Sequence, residues 1–160
     1  LLHDNVPIDK VGNYKLEPRG MTALFDAIGK TMNTVGQRLS NTPEDDRPGK
    51  ILVVIVTDGE ENHSREFKSD NIKEMIAHQK TKYNWQFVFL AANQDAMTSA
   101  GNIGIYAGNY INFAGTPVGV KGAYGSLSRA VACYSTSGDL HVDPYADPAD
   151  SQQHDPNNTP

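Results

Sequence analysis

The sequence predicts an α/β fold of Rossmann-like type, a mostly parallel sheet with helices on both faces. Three observations lead there. Two apolar runs, "ILVVIV" at 51–56 and "WQFVFLAA" at 85–92, are too short for helices and too continuous for half-exposed strands. Stretches with helical spacing precede, separate and follow them. Each run also ends abruptly in polar residues, Thr57-Asp58-Gly59 after the first and Asn93-Gln94-Asp95 after the second. Buried strands of a parallel sheet end this way where they meet the loops that lead into helices.

Residues 1 to 19 alternate weakly and carry Pro7, Gly12 and Pro18, which predicts a strand end followed by an irregular connection. From Thr22 the apolar positions Leu24, Ile28, Met32, Val35 and Leu39 form one helical stripe. Thr22 is placed to cap that helix, and Gly20 lets the chain turn before it. The helix ends at "SNTPEDDRPGK", a polar turn with two prolines. Ile51 to Val56 then reads as a strand buried on both faces. Ile72, Met75, Ile76 and Gln79 predict a helix entered at Ser69 or Asp70. The second strand follows, then a short helix at about 95–101 and a third strand in "YINF" at 110–113. A final helix carries Val120, Tyr124, Leu127, Val131 and Tyr134. Cys133 falls on its apolar pattern and reads as a small core residue.

The chain has 160 residues, enough for one domain and its core. Its net charge of −5 is concentrated in one place: residues 1–134 hold 14 basic and 14 acidic side chains, and five further Asp follow with no Lys or Arg. The domain is therefore expected over 1–134, with 135–160 an acidic tail too poor in apolar residues to fold. A balanced body lacks the basic surface that nucleic acid requires. No run approaches the roughly 18 apolar residues of a membrane helix. The lone cysteine forms no internal disulfide, which fits a cytoplasmic protein.

Ligands of open α/β sheets bind at the carboxyl ends of the strands. Asp58 stands at that end of the first buried strand. Thr22 opens a helix, and helix starts share that edge of the sheet. The two are 36 residues apart in sequence and expected to be neighbours in space. A hydroxyl and a carboxylate are hard oxygen donors of the kind Mg²⁺ prefers. The plainer reading keeps Thr22 as a helix cap and Asp58-Gly59 as a turn. Glu60, Glu61 and Asn62 read either as a solvated rim or as residues that select what approaches the metal. Asp26, one turn into the helix, suits the helix dipole and nearby backbone donors. His63 and His78 have no second histidine at ligand spacing, and no nucleophile-elbow motif is present.

"YKLEPRGMTALFDAIGKTM" followed by "ILVVIVTDGEEN" resembles the von Willebrand factor type A (vWA) family, more narrowly its compact cytoplasmic members in bacteria and phages. "WQFVFLAANQDA", "GNIGI" and "GSLSRAVACY" resemble the same subgroup, so the likeness covers about residues 1–134. The resemblance implies a Mg²⁺-centred, metal-ion-dependent adhesion site built from three loops. Thr22 matches the ligand of the second loop and Asp58 that of the third. The first loop's Asp-x-Ser-x-Ser is absent, which implies a vWA domain lacking its first strand and a sheet whose hydrophobic edge is left unpaired. With two of five ligands the chain is expected to hold Mg²⁺ weakly or not at all. The implied function is metal-bridged binding of a protein partner that supplies an acidic residue, with no catalysis. The alternative is a Mg²⁺-dependent phosphohydrolase in which Asp58 and a neighbouring Glu hold the metal.

Overall fold

The computed structural model describes residues 3–12, 20–92, 94–106 and 108–143, without the side chains of 94–97. Over these residues the chain forms three strands, β1 (Leu52–Thr57), β2 (Gln86–Ala91) and β3 (Tyr110–Asn112). Four helices accompany them: α1 (Leu24–Asn41), α2 (Ser69–Tyr83), α3 (Gln94–Asn102) and α4 (Pro117–Ser137). The strands pair in the order β1-β2-β3 and all run parallel, with Leu52 beside Gln86, Thr57 beside Ala91 and Phe89 beside Tyr110. The fold is α/β and Rossmann-like, as the alternation of elements predicts.

The period-2 alternation of side chains divides the core into two layers. Ile55, Phe87, Phe89 and Ala91 point to one face and pack with Leu24, Ile28 and Met32 of α1, Ile72 and Ile76 of α2, Ala100 of α3 and Ile103 just beyond it. Val88, Leu90 and Ile111 point to the other, where they meet Ala123 and Ala130 of α4 and Val142 beyond it. Strand β2 has a neighbour on each side, and Phe87 through Ala91 are completely buried. Strand β1 is the edge of the sheet among the described residues. The sequence reading had it buried on both faces, but only Ile55 and Thr57 are, and Val56 is 47% exposed. An edge position explains this, because an apolar side chain next to an unpaired backbone has covering atoms on one flank only.

Helix α4 corrects a second expectation. Its inward face is Gly119, Ala123, Ser126, Ala130 and Tyr134, while Val120, Tyr124 and Val131 are exposed. The smallness of Gly119 is required locally: a Cβ there would collide with the Ala114 backbone in the turn that leads into the helix. Of the larger stripe, Leu127 reaches the core from the flank. Cys133 is exposed, with its Sγ 3.7 Å from the Ser137 hydroxyl, so it is not a core residue. The helix starts cleanly, with the Thr116 hydroxyl accepting the Gly119 N–H at 3.1 Å and Pro117 in the first turn. It ends at Gly138, whose φ of +86° suits glycine, and Lys50 donates to the Ser135 carbonyl at 2.7 Å.

The expected domain boundary at 134/135 falls inside α4. Beyond the helix, Leu140 and Val142 join the second core layer, and the Ser126 hydroxyl donates to the Asp143 carbonyl at 2.9 Å. Two apolar residues suffice to dock this stretch. The remainder of the expected tail, 144–160, lies outside the described residues. Near the amino end, residues 3–12 are exposed and contain a 3₁₀ turn at Ile8–Lys10 and no strand, while residues 1–2 and 13–19 of the expected strand end and connection lie outside the described residues.

Candidate functional site

Strand β1 ends at Thr57, whose buried hydroxyl folds the chain back on itself. It donates to the Gly59 carbonyl at 2.8 Å and accepts the Gly59 N–H at 3.2 Å. That turn leaves Asp58 exposed at the carboxyl edge of the sheet and brings Gly59 against Thr22. A Cβ on Gly59 would lie 3.0 Å from the Thr22 hydroxyl oxygen, so a larger residue there would press on it. The residue pair expected to be neighbours is thus brought to the same place, with Thr22 beside the turn that carries Asp58.

Thr22 does not cap α1. The helix begins at Leu24, and its N-cap position, Ala23, has no side chain able to accept a hydrogen bond. The exposed amide groups of the first turn are instead satisfied from the loop after β1. Glu61 Oε2 accepts the Phe25 N–H at 2.8 Å, and the Ser64 hydroxyl oxygen accepts the Asp26 N–H at 3.0 Å. The Thr22 backbone joins the same loop: its N–H donates to Asn62 Oδ1 at 2.9 Å, and its carbonyl accepts from Asn62 and His63 at 3.0 and 3.2 Å.

The Glu61 carboxylate also organises its own loop, accepting the N–H groups of His63 and Ser64 at 2.8 and 2.7 Å and the Ser64 hydroxyl at 2.6 Å. Burial pushes the Glu61 carboxyl up, but the Ser64 hydroxyl and the amides of Phe25, Ser64 and His63 outweigh it. They hold Glu61 below its ordinary 4.5. Asp26 answers from the helix side, accepting the N–H groups of Arg65, Glu66 and Phe67 at 3.0, 3.0 and 2.9 Å. The Arg65 amide most strongly lowers its carboxyl below the ordinary 3.8, opposed by partial desolvation and aided by Phe67, Glu66 and Lys30. Two carboxylates, one from each partner, fasten the loop to the helix.

The sequence reading therefore gave Glu61 and Asn62 too little structure. Neither is only a solvated rim residue; both fix the position of Thr22 relative to the turn at Asp58. The signal lay in "MTAL", a helix start with no good cap at its first position, whose amides had to find acceptors elsewhere. The reading of Asp26 holds in part, since its backbone donors come from across the loop. His78 sits on the exterior of α2, edge-on to Tyr83 with ring centres 5.7 Å apart.

Thr22 and Asp58 fit a hard divalent cation in kind, because both are oxygen donors at a rim open to water. Among the described residues no group of three or more His, Cys, Asp or Glu is arranged to hold a metal ion. The donor set supplies one carboxylate and one hydroxyl, leaving the remaining coordination positions to water or to a partner. No helix among the described residues is long and apolar enough to cross a membrane. No family model, curated protein or solved structure matches the chain.

Proposed function

We propose that the chain is a vWA-like protein-binding module in which Thr22 and Asp58 hold Mg²⁺ and a partner's carboxylate completes the shell. The observation that supports this most is the placement of Thr22 beside the turn at Gly59, where its hydroxyl oxygen would stand 3.0 Å from a Cβ added to the glycine, with the Thr22 backbone held by Asn62 and the start of α1 by Glu61 at the carboxyl edge of a parallel sheet. That edge is where open α/β sheets bind ligands. The resemblance of "GMTAL" and "TDGEEN" to the second and third vWA loops points the same way. The reading assigns no reaction to the protein, places it in the cytoplasm, and takes association through the metal as the event it mediates.

The test is a Mg²⁺ titration of the isotope-labelled protein followed by amide chemical shifts. The expected result is movement at Thr22, Asp58 and Gly59 at millimolar metal, abolished in Asp58→Ala, with acetate adding a second, Mg²⁺-dependent shift at the same amides. Unmoved amides at those positions would overturn the reading. So would phosphatase turnover that disappears in Asp58→Ala, which would establish the phosphohydrolase alternative.

A further inference from the structure

At the opposite edge of the sheet, where β1 and β2 begin, the ends of α1 and α2 enclose a crevice of about 400 Å³. Trp85, the residue before β2, forms part of its wall and is only 3% exposed. The ring stacks on Phe87 with centres 6.5 Å apart, which accounts for the apolar body of the side chain. The polar group of that side chain has no such account. Among the described residues nothing accepts a hydrogen bond from the indole N–H, and no side-chain polar atom that is itself buried lacks a partner. The N–H therefore reaches open space, and the crevice that Trp85 lines is where it does so. An indole N–H this deep in a fold ordinarily has an acceptor.

The other lining groups set the chemistry of a ligand. Leu39, Ile51 and Tyr83 supply apolar surface, and His78 stands edge-on to Tyr83. Arg47 supplies charge. Its Nε donates to the Thr42 carbonyl at 2.9 Å, which anchors the side chain, and no carboxylate pairs with it among the described residues. No Asp or Glu lines the crevice, and Asp46 belongs to the neighbouring groove beside β1. Two helices end here, and their negative dipole ends oppose an anion. Lys80 and Lys82 in the last turn of α2 offset one of them. The other is capped by Thr42, whose N–H and hydroxyl donate to the Leu39 and Arg38 carbonyls at 3.1 and 2.9 Å. An indole N–H and a guanidinium donate and cannot accept, so they call for an oxygen anion. The apolar walls call for a planar body attached to it.

We infer that this crevice binds a small carboxylate with a planar apolar body, the carboxylate accepting from the Trp85 indole N–H and held by Arg47. Its volume of about 400 Å³ is at the lower end of the range for small-molecule sites, which suits one aromatic ring and its carboxylate. The site shares no residue with Thr22 and Asp58 and lies at the other end of the strands, so it stands whether or not those two hold a metal.

Trp85 is the only tryptophan of the chain, so its indole N–H gives a single signal that reports from the crevice. The probes are benzoate, benzamide and acetate, titrated into the isotope-labelled 1–160 chain without divalent metal. Benzoate is expected to move the indole signal downfield, with the amides of Arg47 and His78 moving over the same concentrations. Benzamide keeps the ring without the charge, and acetate the charge without the ring. Each is expected to bind about fivefold more weakly than benzoate. Arg47→Gln, at an exposed position, is expected to weaken benzoate about fivefold and to leave benzamide unchanged. An indole signal that stays in place, equal affinity for benzoate and either other probe, or full benzoate affinity in Arg47→Gln overturns the inference. Movement at Thr22 and Gly59 in place of the indole also overturns it, by putting the anion at the other edge of the sheet.

Discussion

Glu61 accepts the backbone N–H of Phe25 at 2.8 Å, so a side chain from the loop after β1 satisfies an amide at the start of α1, 36 residues earlier in the chain. Asp26 makes the reverse connection to the amides of Arg65, Glu66 and Phe67. Helix capping normally uses neighbours in sequence. Here it is done across the fold, and a local requirement of one helix becomes a tertiary constraint on the loop that carries Asp58.

Removing one side of this constraint should be costly. Glu61→Ala leaves the partly buried amides of Phe25, His63 and Ser64 without this acceptor, and hydrogen bonds to a charged group contribute about 1.5–3 kcal/mol each net of exchange with water. With solvent replacing part of what is lost, the expected destabilisation is about 2 kcal/mol, read as a lower urea midpoint at unchanged slope. Glu60→Ala, one residue away and exposed, should stay within about 0.5 kcal/mol. Equal effects of the two substitutions would show that the clamp is not holding the loop.

The same pair makes stability depend on pH in a defined direction. Both carboxyls are held below their ordinary values of 3.8 for Asp26 and 4.5 for Glu61. A depressed folded value means that the stabilisation is fully present above the unfolded value and is lost as pH falls through the folded one. Stability should therefore be level above the ordinary carboxyl range and fall steadily below 4.5. Asp26→Asn keeps one acceptor but removes a titrating group, so it should flatten part of that fall. Thermal melts of both proteins from neutral pH into acid check it, and parallel curves for the two would refute the assignment.

Two glycines on α1 separate packing from propensity. A Cβ on Gly29 would stand 2.6 Å from the Phe67 ring, the residue whose amide Asp26 holds. Gly36, on the same helix, has nothing within 4 Å of that position. Gly36→Ala should stabilise by up to about 1 kcal/mol through helix propensity. Gly29→Ala gains the same propensity but must displace Phe67 and strain the clamp, so it should lose about 1–2 kcal/mol net. Melting temperatures that move in opposite directions are the expected result.

Much of this architecture was legible in the sequence because it rests on periodicity. The 3.6-residue stripe through Leu24, Ile28 and Met32 marks the core and packs where the pattern puts it, whereas the continuous run through Ile55 marks a strand but not its edge position, which leaves Val56 exposed. Helix α4 departs from its pattern because the stripe of larger side chains is not its buried face. That face consists largely of small residues, and Gly119, Ala123, Ser126 and Ala130 carry little hydropathy signal. The nearness of Thr22 to the turn at Asp58 followed from topology alone. The roles of Glu61 and Asn62 did not: the uncapped start at "MTAL" marks amides in need of acceptors, but their partners lie 36 to 40 residues away, a distance at which no local pattern names the acceptor.

The edge of the sheet gives the last prediction. Gln86 donates its N–H to the Ile51 carbonyl at 2.9 Å, so the alternate residues Leu52, Val54 and Val56 turn their backbone groups toward the open edge of β1. Natural edge strands are usually guarded by a charge, a proline or a bulge, and "LVVIVT" has none. Residues 1–160 as an isolated chain should associate as concentration rises, through pairing at this edge. Val56→Lys places a charge on a side chain already 47% exposed and should keep the chain monomeric while changing its stability by no more than about 0.5 kcal/mol. Sedimentation velocity across a concentration series reads the difference. A wild-type chain that stays monomeric throughout and unfolds in one sharp transition would mean that the β1 edge is protected by something other than its own sequence.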